Sequence, residues 1–341
     1  MLNVPRIPLP DLNAKVDFLS TPSSYPEPPS SVEARETHMS WVFMTDHHAF
    51  KLKKPVKTSF LDFSTLERRK HFCEEEVRLN RDLAPGIYIG VVPLGQDRES
   101  GLRLAEGEPV EYLVQMVRLP ATATLEAAIL DHRVEEQTIR NLARDLARFY
   151  RQAPTIEIEP SAYRRRLADD IAANAEAMLK PGYGLPTSQI EAIADALIGF
   201  ISRLGEVLEK RAGERRIVDA HGDLRPEHIY FLPDRIVVID RLEFNAAFRA
   251  LDPVDELAYL AMECERAGVP AIGAWLFETY SAESGDQPSA ELISFYMRAR
   301  ALLRAKLAIW HLDTPHPRTP EKWPLQARAY LDLAAGYAAK I

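Results

Sequence analysis

Cysteine is scarce in this 341-residue chain. Cys73 and Cys264 are the two present, and they form no C-x-x-C pair. That excludes a disulfide framework and a zinc ribbon, and it points to a reduced, cytoplasmic compartment. Glycine is both sparse and late: there are 15, and the first is Gly86. The N-terminal strands therefore carry no glycine-rich phosphate loop. No apolar run approaches the roughly 18 residues that a membrane helix needs. The opening "MLNVPRIPLPDLN" places prolines and Asp11 where a signal peptide needs an apolar core. Nothing repeats at a fixed period. Basic residues are outnumbered, 42 Lys and Arg against 50 Asp and Glu, for a net charge of −8. An acidic chain of this kind is a poor nucleic-acid binder.

The length suits two lobes rather than one small core. Residues 1–32 read as an N-terminal extension: a short helix, "DLNAKVDFL", then a Ser/Pro-rich strap, "STPSSYPEPPSS". Residues 33–118 read as a mixed unit. "WVFMT" and "AFKLKKP" flank the turn "DHH" as a hairpin, with Lys51 and Lys53 on one face by the period of two. "STLERRKHFCEEEVRLNRDLAP" (64–85) reads as a helix capped by Ser64, with Glu67 completing a capping box and Pro85 ending it. "YIGVVPL" and "EYLVQMV" are further strands. Residues 119–341 are mostly helical, with patterns at 135–153, 165–180, 188–211, 253–267, 270–283, 289–311 and 323–339, interrupted by a β-rich island at 217–240.

The island carries the chemistry. "RIVDAHGD" runs into His221-Gly222-Asp223, "HIYFL" is a strand, "PDR" a turn and "IVVID" a returning strand that ends at Asp240. A hairpin of this length should bring Asp223 and Asp240 near each other. Two neighbouring carboxylates need a cation between them or a raised pKa. Mg²⁺ binds through one or two carboxylates plus substrate phosphates.

"HGD" followed by a hairpin ending in "VVID" resembles the aminoglycoside phosphotransferase family of the protein-kinase-like superfamily. "FRALDPVDELAYLAM" and "ETHMSWVFMTDHHAFKLKKPV" extend the likeness, and the latter resembles a bacterial subgroup whose kinase-like domain is sometimes fused to a P-loop ATPase. The likeness covers roughly residues 33 to 310. It implies an α+β, bilobal protein-kinase-like fold: a small antiparallel-β N-lobe with one main helix, and a large, mostly helical C-lobe. It also implies an ATP-dependent transfer of the γ-phosphate to a hydroxyl of a small molecule. Asp223 would orient or deprotonate that hydroxyl, with His221 supporting the loop and Arg225 beside them in the catalytic set. Asp240 would chelate Mg²⁺. Lys51, or alternatively Lys53, would reach the phosphates, with Glu75 or Glu76 as the helix partner. Gln115, Met116 and Val117 would form the hinge against adenine. The turn over the phosphates would lie near Thr37, His38, Met39 and Ser40.

Three features depart from the family. His228 stands where the loop normally carries a metal-binding Asn. A nitrogen ligand suits Mn²⁺ better than Mg²⁺. It leaves open a catalytically impaired, nucleotide-binding pseudokinase with a regulatory role. The glycine-rich loop is also missing, and Glu256 stands where an Asp is usual. The basic helix "FYMRARALLRAKLAIWH" (295–311) reads either as a stripe over an apolar core face or as an anion-binding wall built from Arg300, Arg304 and their neighbours Arg298 and Lys306.

Overall fold

The computed structural model describes residues 9–97, 101–314, 317 and 319–337. The first eight residues of the expected N-terminal extension and the last two of the expected 323–339 helix lie outside the described residues. In chain order the elements are α1 (Leu12–Leu19), β1 (Glu33–Glu36), β2 (Ser40–Met44), β3 (His48–Lys53), α2 (Leu66–Asn80), β4 (Tyr88–Asp97), β5 (Gly101–Leu104), β6 (Glu108–Val117), α3 (Leu125–Leu130), α4 (Glu136–Gln152), α5 (Pro160–Met178), α6 (Thr187–Gly213), β7 (Val218–Asp219), β8 (Ile229–Phe231), β9 (Ile236–Val238), β10 (Ala250–Leu251), α7 (Pro253–Arg266), α8 (Ala271–Ser284), α9 (Ala290–Ile309) and α10 (Lys322–Gly336).

These elements pack as two compact units. The first takes residues 1–124 and also 228–246, so the β8–β9 hairpin packs with the N-terminal strands. The sequence had grouped that hairpin with the helical region, because helices flank it on both sides. The second unit takes residues 125–227 and 247–341.

The first unit is built on an antiparallel sheet in the order β1-β2-β3-β6-β4-β5. Alternation along β3 sorts its side chains. Phe50 and Leu52 enter a core with Phe43, Leu94, Val110 and Leu113. Ala49 enters a core with Cys73 and Val77 of α2, Val114, Met116 and Val237. Lys51 and Lys53 share the face of Ala49 and therefore look toward α2.

The N-terminal strap is a structural layer. Asp11 caps α1 by accepting from the Ala14 N–H at 2.8 Å. Leu19 and Tyr25 are buried in the Phe43/Phe50 core, and Leu12, Val16 and Phe18 pack against it. Lys15 donates to Glu111 at 2.8 Å, and Arg69 of α2 donates to the same carboxylate at 2.8 Å. The cap of α2 also differs from expectation. Thr65 accepts from the Arg68 N–H, while the Ser64 hydroxyl is held by Asp62 at 2.5 Å. Ser64 is drawn into the preceding turn, so the next hydroxyl along the chain takes the cap.

In the second unit α7 is the central helix. Every residue from Pro253 to Cys264 is buried. Helices α8 and α9 pack on it, and α4 packs on α8. No helix among the described residues is long and apolar enough to cross a membrane.

Leu19 is wholly buried, and deleting such a side chain typically costs about 2–5 kcal/mol. Leu19→Ala should therefore shift the denaturant unfolding midpoint by that equivalent. A variant as stable as the parent would mean that α1 is only loosely attached.

Candidate functional site

In the first unit, five charged side chains from three separate stretches form one network. Glu76, wholly buried on α2, accepts from Lys51 at 2.8 Å and from Lys53 at 2.6 Å. Lys51 also donates to Asp240 at 2.5 Å, and Lys53 to Glu243. The network has a closed end and an open end. The side chains of Lys53 and Glu76 are 0% exposed, that of Lys51 is 15% exposed, and that of Asp240 is 40% exposed. Lys53 is thus a sealed structural cation. Lys51 is the lysine whose side chain keeps some exposure.

Burial alone would raise the Glu76 carboxyl, but Lys51 and Lys53 outweigh it and hold it below the usual range. Asp240 behaves the same way. Burial pushes it up, and Lys51 followed by His228 pulls it well below the ordinary carboxylate value. Glu243 goes the other way: burial raises it more than Lys53 lowers it.

The other expected residues of this unit fall as follows. Glu75 is turned outward into a pair with Arg78 at 2.7 Å, so it is not the lysine partner. One residue is 100° on a helix, which separates the two glutamates. Ser40 is buried in its own hairpin turn, with its N–H on the Thr37 hydroxyl at 3.0 Å and its carbonyl on the Thr37 N–H at 2.8 Å. Gln115 and Met116 lie opposite Phe50 and Ala49 of β3 and opposite Gly90 and Tyr88 of β4. Their backbone groups are spent inside the sheet. The Val117 N–H goes to the Ile87 carbonyl at 2.9 Å and the Arg118 N–H to the His47 carbonyl at 2.8 Å. The described sheet pairing along this strand ends with these two bonds. His228 faces Asp240, its Nε2 lying 3.6 Å from Oδ2. Among the described residues no group of three or more His, Cys, Asp or Glu is arranged to hold a metal ion. The His228–Asp240 pair therefore offers two protein donors, and a cation held there would take its remaining ligands from phosphate oxygens and water.

Sequence reasoning missed Glu243, Asn80 and Tyr88. The stripe Cys73-Glu76-Val77-Asn80, spaced i, i+3, i+4, i+7, was the available signal that Glu76 and Asn80 share the buried face.

In the second unit the His221-Gly222-Asp223 loop hangs on Glu256 of α7. That carboxylate accepts from the N–H of His221 at 3.1 Å and of Gly222 at 2.6 Å, and from the Tyr150 hydroxyl at 2.9 Å. Gly222 has φ +91°, a conformation that side chains resist. The Asp223 N–H donates to His221 Nδ1 at 3.2 Å, which requires that nitrogen to be unprotonated. The Asp223 carboxylate accepts from the Tyr259 hydroxyl at 3.1 Å and pairs with Arg225 at 3.0 Å; Arg225 also pairs with Glu227 at 2.6 Å.

The basic stripe of α9 is not a free anion-binding wall. Arg300 grips Asp255 through two bonds of 2.7 Å, and Arg304 pairs with Glu263 at 2.8 Å. Both arginines are spent on carboxylates of α7.

The fold this architecture defines is protein-kinase-like: an α+β fold with a small antiparallel-β unit and a large helical one. Solved structures agree with it. The chain aligns with a choline kinase of Cryptosporidium parvum at a TM-score of 0.56 and 10% identity, over 97% of this chain and 96% of that one. It aligns with the choline kinase LicA of Streptococcus pneumoniae at 0.54 and 15% identity, over 91% and 93%; LicA is also known in complex with AMP. A thermostable mutant of aminoglycoside phosphotransferase APH(4)-Ia aligns at 0.52 and 12% identity, over 92% and 96%. No family model matches. In sequence, the chain is 33% identical over 281 residues to uncharacterized proteins of Mycobacterium tuberculosis and Mycobacterium bovis, covering 81% of this chain and 54% of theirs. The chain spans about half the length of these curated relatives.

Two outcomes follow from the network. Removing one partner of a buried ion pair strands the other at a typical cost of about 3–5 kcal/mol. Lys53→Met should lose that much in denaturant unfolding, and Lys51→Met less, because its side chain is not wholly buried. The reverse order would contradict the closed-end, open-end assignment. The second outcome concerns acid. A carboxylate whose folded pKa lies below its unfolded value of about 3.9 contributes stability that is present above that value and is lost as pH falls. Asp240→Asn, in metal-free buffer, should therefore flatten the fall in unfolding midpoint between about pH 6 and 3. Asn tolerates the left-handed backbone there. Glu243, shifted up, acts in the opposite sense, so the parent curve shows the net of both. An unchanged acid limb in the variant would refute the Asp240 contribution.

Proposed function

We propose that the protein is an ATP-dependent phosphotransferase that moves the γ-phosphate to a hydroxyl of a small molecule. The observation carrying this reading is Lys51: a lysine fixed by a buried glutamate on α2, with its ammonium against a part-exposed Asp240, on a fold shared with small-molecule kinases. In this reading Lys51 binds nucleotide phosphate oxygens. Asp240 and His228 hold a divalent cation, Mg²⁺ or Mn²⁺, which when bound neutralises phosphate charge. Asp223 aligns the acceptor hydroxyl and takes its proton while the hydroxyl oxygen attacks the γ-phosphorus and the bond to the β-γ bridging oxygen breaks. Arg225, bonded to Asp223, holds that carboxylate in place. His221 stays neutral as an acceptor for the loop backbone.

ADP formation over a panel of hydroxylated acceptors, with Mg²⁺ and with Mn²⁺, tests it. Asp223→Asn should lower turnover by about 10²–10⁴-fold, the usual span of a general base, with nucleotide affinity retained. Asp240→Ala should abolish metal-dependent nucleotide binding; unchanged affinity would end the metal assignment.

A second reading, a nucleotide-binding pseudokinase, is favoured by His228 in the metal position and by the 37–40 turn, whose hydroxyl is used within its own hairpin. It predicts metal-dependent ATP binding with no turnover on any acceptor and no effect of Asp223→Asn.

A further inference from the structure

Asp240 is held in an unusual way. Its φ is +65°, in the left-handed region that non-glycine residues rarely occupy and that costs of order 1 kcal/mol or more. Such a residue persists only where its surroundings fix it. Here four consecutive backbone N–H groups each have a separate partner. That of Val238 donates to the Leu83 carbonyl at 3.0 Å and that of Ile239 to the His228 carbonyl at 2.9 Å. That of Asp240 donates to the Tyr88 hydroxyl at 3.0 Å and that of Arg241 to the Asn80 side-chain oxygen at 2.9 Å. The first two bonds are made by backbone and depend little on which side chains are present. The last two are made by side chains, and the one on Asp240 itself belongs to Tyr88.

The sheet is adapted to deliver that hydroxyl. The β4–β6 ladder slips between Tyr88, opposite Met116, and Gly90, opposite Gln115. Ile89 is the extra residue and is turned out, 45% exposed. A bulge re-aims the side chain beside it. Tyr88 is thereby buried, with its ring in the Ala49/Cys73/Val77 core.

We propose that Tyr88, assisted by Asn80, is a positioning residue: it holds the left-handed turn that presents the Asp240 carboxylate between Lys51 and His228. The metal consequence rests on the phosphotransferase reading above. The backbone consequence does not.

The test has two arms. In the first, amide hydrogen exchange is followed by NMR in metal-free protein. The Asp240 N–H of the parent should be protected, and Tyr88→Phe, which removes only the hydroxyl, should speed its exchange at least 10-fold. The Ile239 N–H, bonded to backbone, should not change. A fast-exchanging Asp240 amide in the parent, or an unchanged one in the variant, overturns the proposal. In the second arm Mn²⁺ affinity is measured by electron paramagnetic resonance in the presence of ADP. Loss of a group that orients a metal ligand typically costs about 10–100-fold in affinity. Tyr88→Phe should show a loss of that size, and Tyr112→Phe, a control tyrosine on the same core, should not. Equal Mn²⁺ affinity in Tyr88→Phe and parent overturns the proposed link to metal. If the parent itself binds no Mn²⁺, the metal assignment fails, and the exchange arm still decides the positioning of Asp240.

Discussion

Glu76 is the residue on which the first unit turns. A carboxylate wholly removed from water is tolerated only where cations and hydrogen bonds surround it. Two lysines, two residues apart on one strand, supply them, and the alternation of β3 is what puts both on the α2 side. The lysines then bring more negative charge than they neutralise at Glu76. Lys53 takes Glu243 and Lys51 takes Asp240, so two lysines face three carboxyl groups.

The helical unit solves a similar problem differently. Helix α7 is buried along its length yet carries Asp255, Glu256 and Glu263, with Asp252 as its cap. Each carboxylate has its own donors. Arg211 serves Asp252, Arg300 serves Asp255 and Arg304 serves Glu263. Glu256 is served instead by the backbone N–H groups of His221 and Gly222, with the Tyr150 hydroxyl added. What reads in the sequence as a basic stripe and a separate acidic helix is, for Arg300 and Arg304, one set of interlocking pairs with α7.

Much of this was legible from residue order. Strand alternation placed Lys51 and Lys53 on one face, and the hairpin, the helices and the kinase-like fold followed from pattern and motif. What was not legible depends on partners far away in the chain. Glu75 and Glu76 differ by one position, and only the phase of Cys73, Val77 and Asn80 distinguishes them. "EYLVQMV" reads as a strand, but whether its backbone is free depends on having neighbours on both sides. The two-residue strands β7 and β10 are too short to leave a period. Tyr88 and Asn80 act through oxygen atoms that accept from backbone N–H groups of Asp240 and Arg241, more than 150 residues away. No local pattern encodes such a bond.

The arrangement around Asp240 also constrains how a ligand could enter. One carboxylate oxygen is on Lys51 at 2.5 Å, and the other lies 3.6 Å from His228 Nε2. On the phosphotransferase reading, a cation drawn to the second oxygen competes with the Lys51 ammonium for the charge of the same carboxylate. An incoming phosphate offers Lys51 a replacement anion and offers the cation further oxygens. Cation and phosphate then each lower the cost of admitting the other, and by linkage that coupling is reciprocal. Glu76 bonds Lys51 independently of Asp240 and, on that reading, would keep the lysine aimed if Asp240 changed partner. A network that is rigid at Lys53 and exchangeable at Asp240 is the physical form such coupling requires.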